Sequence, residues 1–116
     1  MHFVNFSNHP SKKWCDEQRS AAEEYGEIID ITFPEVSPEA DEAEIDVLAS
    51  EFVERILELS PAAVMVQGEF TLAFAVVEML KAKGIRCLAA CSKRLVQERG
   101  DERIVRFEFV RYREYA

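Results

Sequence analysis

The sequence predicts a single α/β domain spanning residues 1–116, with a Rossmann-like, mostly parallel sheet and a C-terminal β-hairpin. Three observations carry this expectation. Short β-prone runs alternate with helical patterns in the order β-α-β-α-β-α-β. The run AAVMVQ at 62–67 is apolar as far as Gln67, as in a strand covered on both faces. After residue 93 the pattern changes to period two on either side of Arg99-Gly100-Asp101-Glu102, which reads as a hairpin. With 116 residues, 48% of them hydrophobic, the chain has the size and composition of one domain with its own core.

The elements follow in order. HFVNF at 2–6 is the first strand, and Ser7-Asn8-His9-Pro10 is turn chemistry. Ser11 is placed to cap a helix running to about Tyr25, with Trp14, Gln18, Ala21, Ala22 and Tyr25 on one face and Gly26 as its stop. EIIDITF at 27–33 is the second strand, and a polar, acidic loop follows it. Ser37-Pro38 opens a second helix that reaches Leu59, with Ile45, Leu48, Ala49, Phe52, Ile56 and Leu59 on one stripe. The third strand is 62–67 and the third helix runs from Phe70 to Lys83, anchored by its apolar Phe70–Val77 run. IRCLAAC at 85–91 is the fourth strand, and 94–98 with 103–112 form the hairpin.

Charge and cysteine usage bound the function. A net charge of -8 lacks the broad basic surface of a protein that coats long nucleic acid. It leaves room for a small anion held by a few local cations. No run of roughly 18–20 apolar residues marks a membrane span, and MHFVNFSNHP does not read as a signal peptide. Cys15, Cys87 and Cys91 form no CxxC, which fits a cytoplasmic protein with reduced thiols and no zinc site. No GxGxxG follows the first strand, no GxxxxGK[ST] occurs, and two histidines cannot build a His-rich metal centre. No metal and no cofactor is expected.

In open α/β sheets ligands bind beyond the carboxyl ends of the strands. Three such ends here are polar. Asn5, Ser7, Asn8 and His9 close the first strand, Gln67, Gly68, Glu69 and Thr71 follow the third, and Ser92, Lys93 and Arg94 follow the fourth. Gly68 admits a close backbone approach or a positive φ. The third helix begins with N–H groups suited to an anion. Lys93 and Arg94 supply charge for phosphate, and His9 supplies a proton donor or acceptor. The bland counterparts are a strand-to-helix turn whose Glu69 stabilises a helix N-terminus, an exposed loop histidine, and a solvated hairpin start.

The stretches NFSNHP, VQGEFTLAFAVVEMLKAKGI and AACSKR give the chain a resemblance to the small Csx-type CRISPR-accessory proteins, relatives of the CARF sensor domains, several of which are ring nucleases. The resemblance implies an antiviral-defence role as a homodimer that binds, and in some members cleaves, cyclic oligoadenylate without metal. It implies Ser7, His9, Glu69 and Lys93 as catalytic candidates. Asn5, Asn8, Gln67, Gly68, Thr71, Ser92 and Arg94 would be the ligand contacts. Two alternatives stand beside it. One is a nucleotide- or nucleoside-processing enzyme that uses Glu69 as its base. The other is a non-catalytic module whose last strand adds to the edge of a partner's sheet.

Overall fold

The computed structural model describes residues 1–116. The elements are β1 (His2–Ser7), a 3-10 turn at Ser11–Lys13, α1 (Asp16–Glu23), β2 (Glu27–Thr32), α2 (Glu42–Glu58), β3 (Pro61–Val66), α3 (Phe70–Ala82), β4 (Cys87–Arg99) and β5 (Glu102–Glu114). They form one five-stranded sheet in the order β2-β1-β3-β4-β5. β1 runs parallel to β2 and β3, and β3 runs parallel to β4. β5 returns antiparallel along the whole length of β4.

Alternation along the strands sorts the core onto two faces. Val4, Phe6, Val64 and Val66 pack with α2 and α3 through Ile45, Ala49, Phe52, Ile56, Leu72, Val76 and Leu80. Phe3, Ala63, Met65, Leu88 and Tyr112 pack on the other face with Trp14 and Ala22, so α1 covers that side. The crossover through α1 moves the chain one way in the sheet. Those through α2 and α3 move it the other way on the opposite face. All three crossovers therefore share one hand, as the twist of parallel strands requires.

The sheet departs from expectation in its C-terminal half. It is mixed rather than mostly parallel, and β3 lies on the far side of β1 from β2, unlike the 3-2-1 run of a Rossmann half. The predicted fourth strand and the first strand of the predicted hairpin are one strand, β4. Its pairing with β3 is confined to Val64↔Cys87 and Met65↔Leu88. Beyond that point only β5 accompanies it, to a two-residue turn at Gly100-Asp101. Gly100 has φ +60° and Asp101 does not share the positive φ, the pattern of a type II′ turn that suits a twisted hairpin. The strand from Ser92 to Arg99 thus carries an arm past the carboxyl edge of the sheet. At about 3.3 Å per residue the arm is roughly 25 Å long.

The first two helices start later than the sequence predicts. Asp41, not Ser37, caps α2, its carboxylate accepting from the Glu44 N–H at 2.8 Å. Ser37 instead accepts from the Glu39 N–H at 3.2 Å and shapes a turn. α1 has only eight residues and no side-chain cap, so its own propensity cannot hold it. It hangs from Trp14, whose ring meets Phe3 edge-on at 6.2 Å and whose indole N–H donates to the His9 carbonyl at 3.0 Å. No helix of the structure is long and apolar enough to cross a membrane.

Trp14→Ala is expected to cost about 3 kcal/mol or more in urea unfolding, because it empties a core position and removes one of the two donors to the His9 carbonyl. Amide exchange should speed up first in α1. A loss below about 1 kcal/mol would show that α1 is held by other contacts.

Candidate functional site

The topological switch point lies between β1 and β3, whose neighbours β2 and β4 lead away in opposite directions. A doubly wound sheet opens its crevice there. Phe6 pairs with Val66, and the Gln67 N–H donates to the Phe6 carbonyl at 3.1 Å, so the two predicted loops leave the sheet side by side.

Asn5 is 1% exposed and Ser7 is 4% exposed, both on the α1 face at the end of a central strand. A polar side chain that deep must be fully paired. The Asn5 amide donates to the His9 carbonyl at 2.9 Å and to Asp30 Oδ1 at 3.1 Å, and its oxygen accepts from the Ser7 hydroxyl at 2.6 Å. Ser7 Oγ in turn accepts from the His9 N–H at 3.1 Å. The other Asp30 oxygen accepts from both the N–H and the hydroxyl of Ser11, each at 3.1 Å. The network folds the 8–14 loop back over the sheet. It commits Asn5 and Ser7 to structure and leaves the side chains of Asn8 and His9 exposed above it. Asp30 was not a predicted site residue. Its signal in the sequence is a lone carboxylate inside the apolar strand EIIDIT, where it stands opposite Asn5.

The turn after β3 has a different logic from the one expected. Gly68 does not have a positive φ, and the space a Cβ would fill is occupied. An added Cβ would sit 2.6 Å from the Phe33 ring, which is 3% exposed. The glycine serves close packing against Phe33 rather than a ligand. Gln67 accepts from the Ala90 N–H at 2.6 Å and ties the end of β3 to β4 where their backbone pairing has stopped. Tyr115 donates to the Val66 carbonyl at 2.7 Å and closes the same strand end from the C-terminus.

The N–H groups at the start of α3 are not open to an anion, as the sequence reading had them. Glu69 caps the helix with its own carboxylate, accepting from the Leu72 N–H at 2.9 Å and the Thr71 N–H at 3.1 Å. The Thr71 hydroxyl donates to the same carboxylate at 2.7 Å. The Leu72 hydrogen bond, then that of the Thr71 side chain, holds the Glu69 carboxyl below its ordinary value of 4.5. A carboxylate so held is a poor proton acceptor at neutral pH, which removes the main support for Glu69 as a general base.

Ser92, Lys93 and Arg94 do not form a loop with the other two strand ends. They lie within β4, at the base of the arm, and all three are exposed. Ser92 and Arg94 stand opposite Phe109 and Phe107 on the α1 side, whereas Lys93 stands opposite Glu108 on the other. The structure therefore brings Asn5, Ser7, Asn8 and His9 beside Gln67, Gly68, Glu69 and Thr71. It splits the three arm residues between two faces.

Sequence reasoning also missed Phe70 and Phe74. Both were expected to anchor α3, yet Phe70 is 89% exposed and Phe74 69% exposed, while Leu72, Ala75, Val76, Val77 and Leu80 do the anchoring. One turn apart, the two rings share a helix face that begins at the switch point. A cavity of about 530 Å³ lies elsewhere, where the 35–41 loop meets α2, and none of the predicted site residues lines it. Its wall carries Glu35, Asp41, Glu44 and Glu51, which repel an anion. For a small anionic ligand the edge between β1 and β3 is the better candidate. No cluster of three or more His, Cys, Asp or Glu is placed to hold a metal ion. All three cysteines are unpaired, and burial pushes the Cys87 thiol up to about 11, so it is inert packing.

The fold and this edge define a small doubly wound α/β protein with an antiparallel arm. Residues 1–113 match the family described as the uncharacterized protein MJ1673 family, and the chain belongs to that family. No curated protein and no solved structure matches it.

Two expectations test this description. Gly68→Ala should cost about 1–3 kcal/mol through overpacking, and most of that cost should vanish in a Phe33→Leu background. Equal costs in both backgrounds would mean that Phe33 does not impose the glycine. Glu69→Ala should cost about 1 kcal/mol at neutral pH, the usual worth of a cap. Because the folded-state carboxyl lies below 4.5, the Glu69 contribution is fully present above that value and is lost as pH falls through the lower folded value. Thermal melts of both proteins should converge in acid, and a gap independent of pH would refute the charged cap.

Proposed function

We propose that the chain is a nucleotide-binding protein of the sensor type, with its site at the carboxyl edge of β1 and β3. Cyclic oligoadenylate, the ligand implied by the likeness to Csx-type accessory proteins, is the first candidate. The observation that carries the reading is the exposed aromatic face of Phe70 and Phe74 beginning at the switch point. Aromatic faces next to mobile polar groups stack on bases at about 1–3 kcal/mol each. Asn8 and His9, whose side chains are exposed beside that face, would meet ribose or phosphate. Arg94 at the base of the arm adds a planar cation.

The reading is binding rather than turnover. The Ser7 hydroxyl is spent on Asn5, and the Glu69 carboxylate on the α3 N-terminus. Of the four residues considered for catalysis, His9 and Lys93 keep exposed side chains with no internal partner, and they belong to different segments, the β1 loop and the arm. A free carboxylate at this turn would repel phosphate. Glu69 faces its own helix N-terminus, where its charge is compensated. A reducing cytoplasm agrees with three unpaired thiols.

Calorimetric titration with cyclic tetra-adenylate and cyclic hexa-adenylate in EDTA, with chromatography of the incubated ligand, tests this. The expected result is saturable binding with the ring intact. Phe70→Ala should weaken binding roughly tenfold, about 1.4 kcal/mol, with an unchanged melting curve. No binding of either ring would refute the ligand, and binding unaffected by Phe70→Ala would refute the placement of the site.

A further inference from the structure

The arm is the part of the molecule that the fold does not explain. β5 is the last strand of the sheet, with thirteen residues and no strand on its far side. Phe107 is 71% exposed, Val110 51%, Val96 42% and Val105 40%. Long edges of this kind template pairing with another chain unless they are covered, and a two-stranded hairpin alone is marginal in water. Natural edges are protected by shortness, proline, charged side chains or bulges, and β5 is long and lacks proline but carries charges of both signs along its length. Its single irregularity is the register shift at Cys91/Ser92, which leaves Val110 as the extra residue.

We infer that β5 is a homodimer interface. In this arrangement it pairs antiparallel with the β5 of a second copy of this chain, about a two-fold axis through Phe107. The occupant follows from the charge pattern of the strand. A two-fold pairing of one strand with itself must centre on a residue, and residues equidistant from that centre face each other on the same side. Centring on Arg106 sets that arginine against its own copy, and centring on Glu108 does the same with carboxylates. Centring on Val105 opposes Glu102 to the partner's Glu108. Centring on Ile104 leaves Phe107 outside the regular pairing. Centring on Phe107 opposes Arg106 to the partner's Glu108 twice, Val105 to the partner's Phe109 twice, and Phe107 to itself. It also fits between the hairpin turn and the bulge at Val110. Directly opposed charges and aromatic pairs each contribute favourably across strands, and like charges directly opposite do not.

A second observation agrees with the same occupant. The arm, residues 92–110, carries five Lys and Arg against four Asp and Glu, while the rest of the chain carries nine against eighteen. In the Phe107-centred register the tip of each arm reaches past the bulge, where Arg103 comes level with the partner's Arg111, so the favourable pairs are those between the turn and the bulge. An arm that lacks the acidic surplus of the body meets a second copy without the repulsion that two acidic faces would impose. The pairing needs no nucleotide, so it stands or falls independently of the ligand proposed above.

Light scattering on the eluting, ligand-free protein tests it. The expected mass is twice the 13.3 kDa of one chain. Phe107→Glu should halve the mass. Arg106→Glu should do the same or weaken association at least tenfold, because it sets two carboxylates against each other. The double variant Arg106→Glu with Glu108→Arg should restore the dimer, because the opposed pair is rebuilt with its signs exchanged. Both positions are exposed in the single chain, so each variant should keep the wild-type circular dichroism. A monomeric wild type, or a dimer indifferent to Phe107→Glu, would overturn the interface. A double variant that stays monomeric would overturn the register. Monomer at every concentration with retention on nucleic acid would assign the arm to that partner instead, and overturn the proposal.

Discussion

The buried carboxamide of Asn5 is the constraint on which most of the molecule depends. It stands at the end of a strand with both faces covered, where an unpaired polar group costs on the order of 1–3 kcal/mol. Every way of satisfying it moves another piece of the chain. Its donors take the His9 carbonyl and Asp30, which bends the 8–14 loop over the sheet and fixes β2 beside β1 in one register. The same His9 carbonyl accepts from Trp14, and Trp14 packs on Phe3, so α1 is seated by the same group. Ser7 fills the remaining acceptor and also receives the His9 N–H. The first crossover is a consequence of one amide.

The same economy explains why the candidate site is sparse. Polar residues at three strand ends invite a reading in which all of them face a ligand. Most have an internal obligation first. Gln67 replaces a missing backbone bond between β3 and β4, Glu69 closes a helix N-terminus, and Asn5 and Ser7 satisfy one another. Gly68 yields to the Phe33 ring, which itself joins Phe6 and Phe52 in the core. What remains outward is the loop at Asn8 and His9 and the aromatic face of α3. That is a surface suited to stacking and positioning, with its carboxylate already neutralised by N–H groups.

The alternation of elements was legible because it depends on local periodicity. β1, β2, β3 and α3 stand within about a residue of where their patterns placed them. The start of α2 was misplaced because Ser37-Pro38 and Asp41 are both good helix openings, and only tertiary packing chooses between them. β4 was misread for a deeper reason. A strand's pattern records which faces are covered. The cover of β4 ends near Ala90 while its pairing with β5 continues, so the apolar signal stops where the strand does not. The exposure of Phe70 and Phe74 was hidden in the opposite way. An apolar helix gives no sign of which residues its neighbours fail to cover, and here α2 and the sheet cover Leu72, Val76 and Leu80. The role of Gly68 depends on Phe33, a contact no window of local sequence contains.

The arm and the candidate site meet in the topology. β4 runs parallel to β3, so whatever extends β4 must leave by the carboxyl edge, the edge where the sheet offers its crevice. Two arms paired about Phe107 point in opposite directions, each rising from its own body toward the other. Such a pairing would set the two carboxyl edges facing one another across the joined arms. Asn8, His9 and Phe70 would then be present twice, related by the axis. A ligand with its own two-fold symmetry could engage both copies at once, and engaging the second is cheap once the first is bound. The acids are concentrated in the bodies, while the arms that would run between the two sites carry five Lys and Arg against four Asp and Glu.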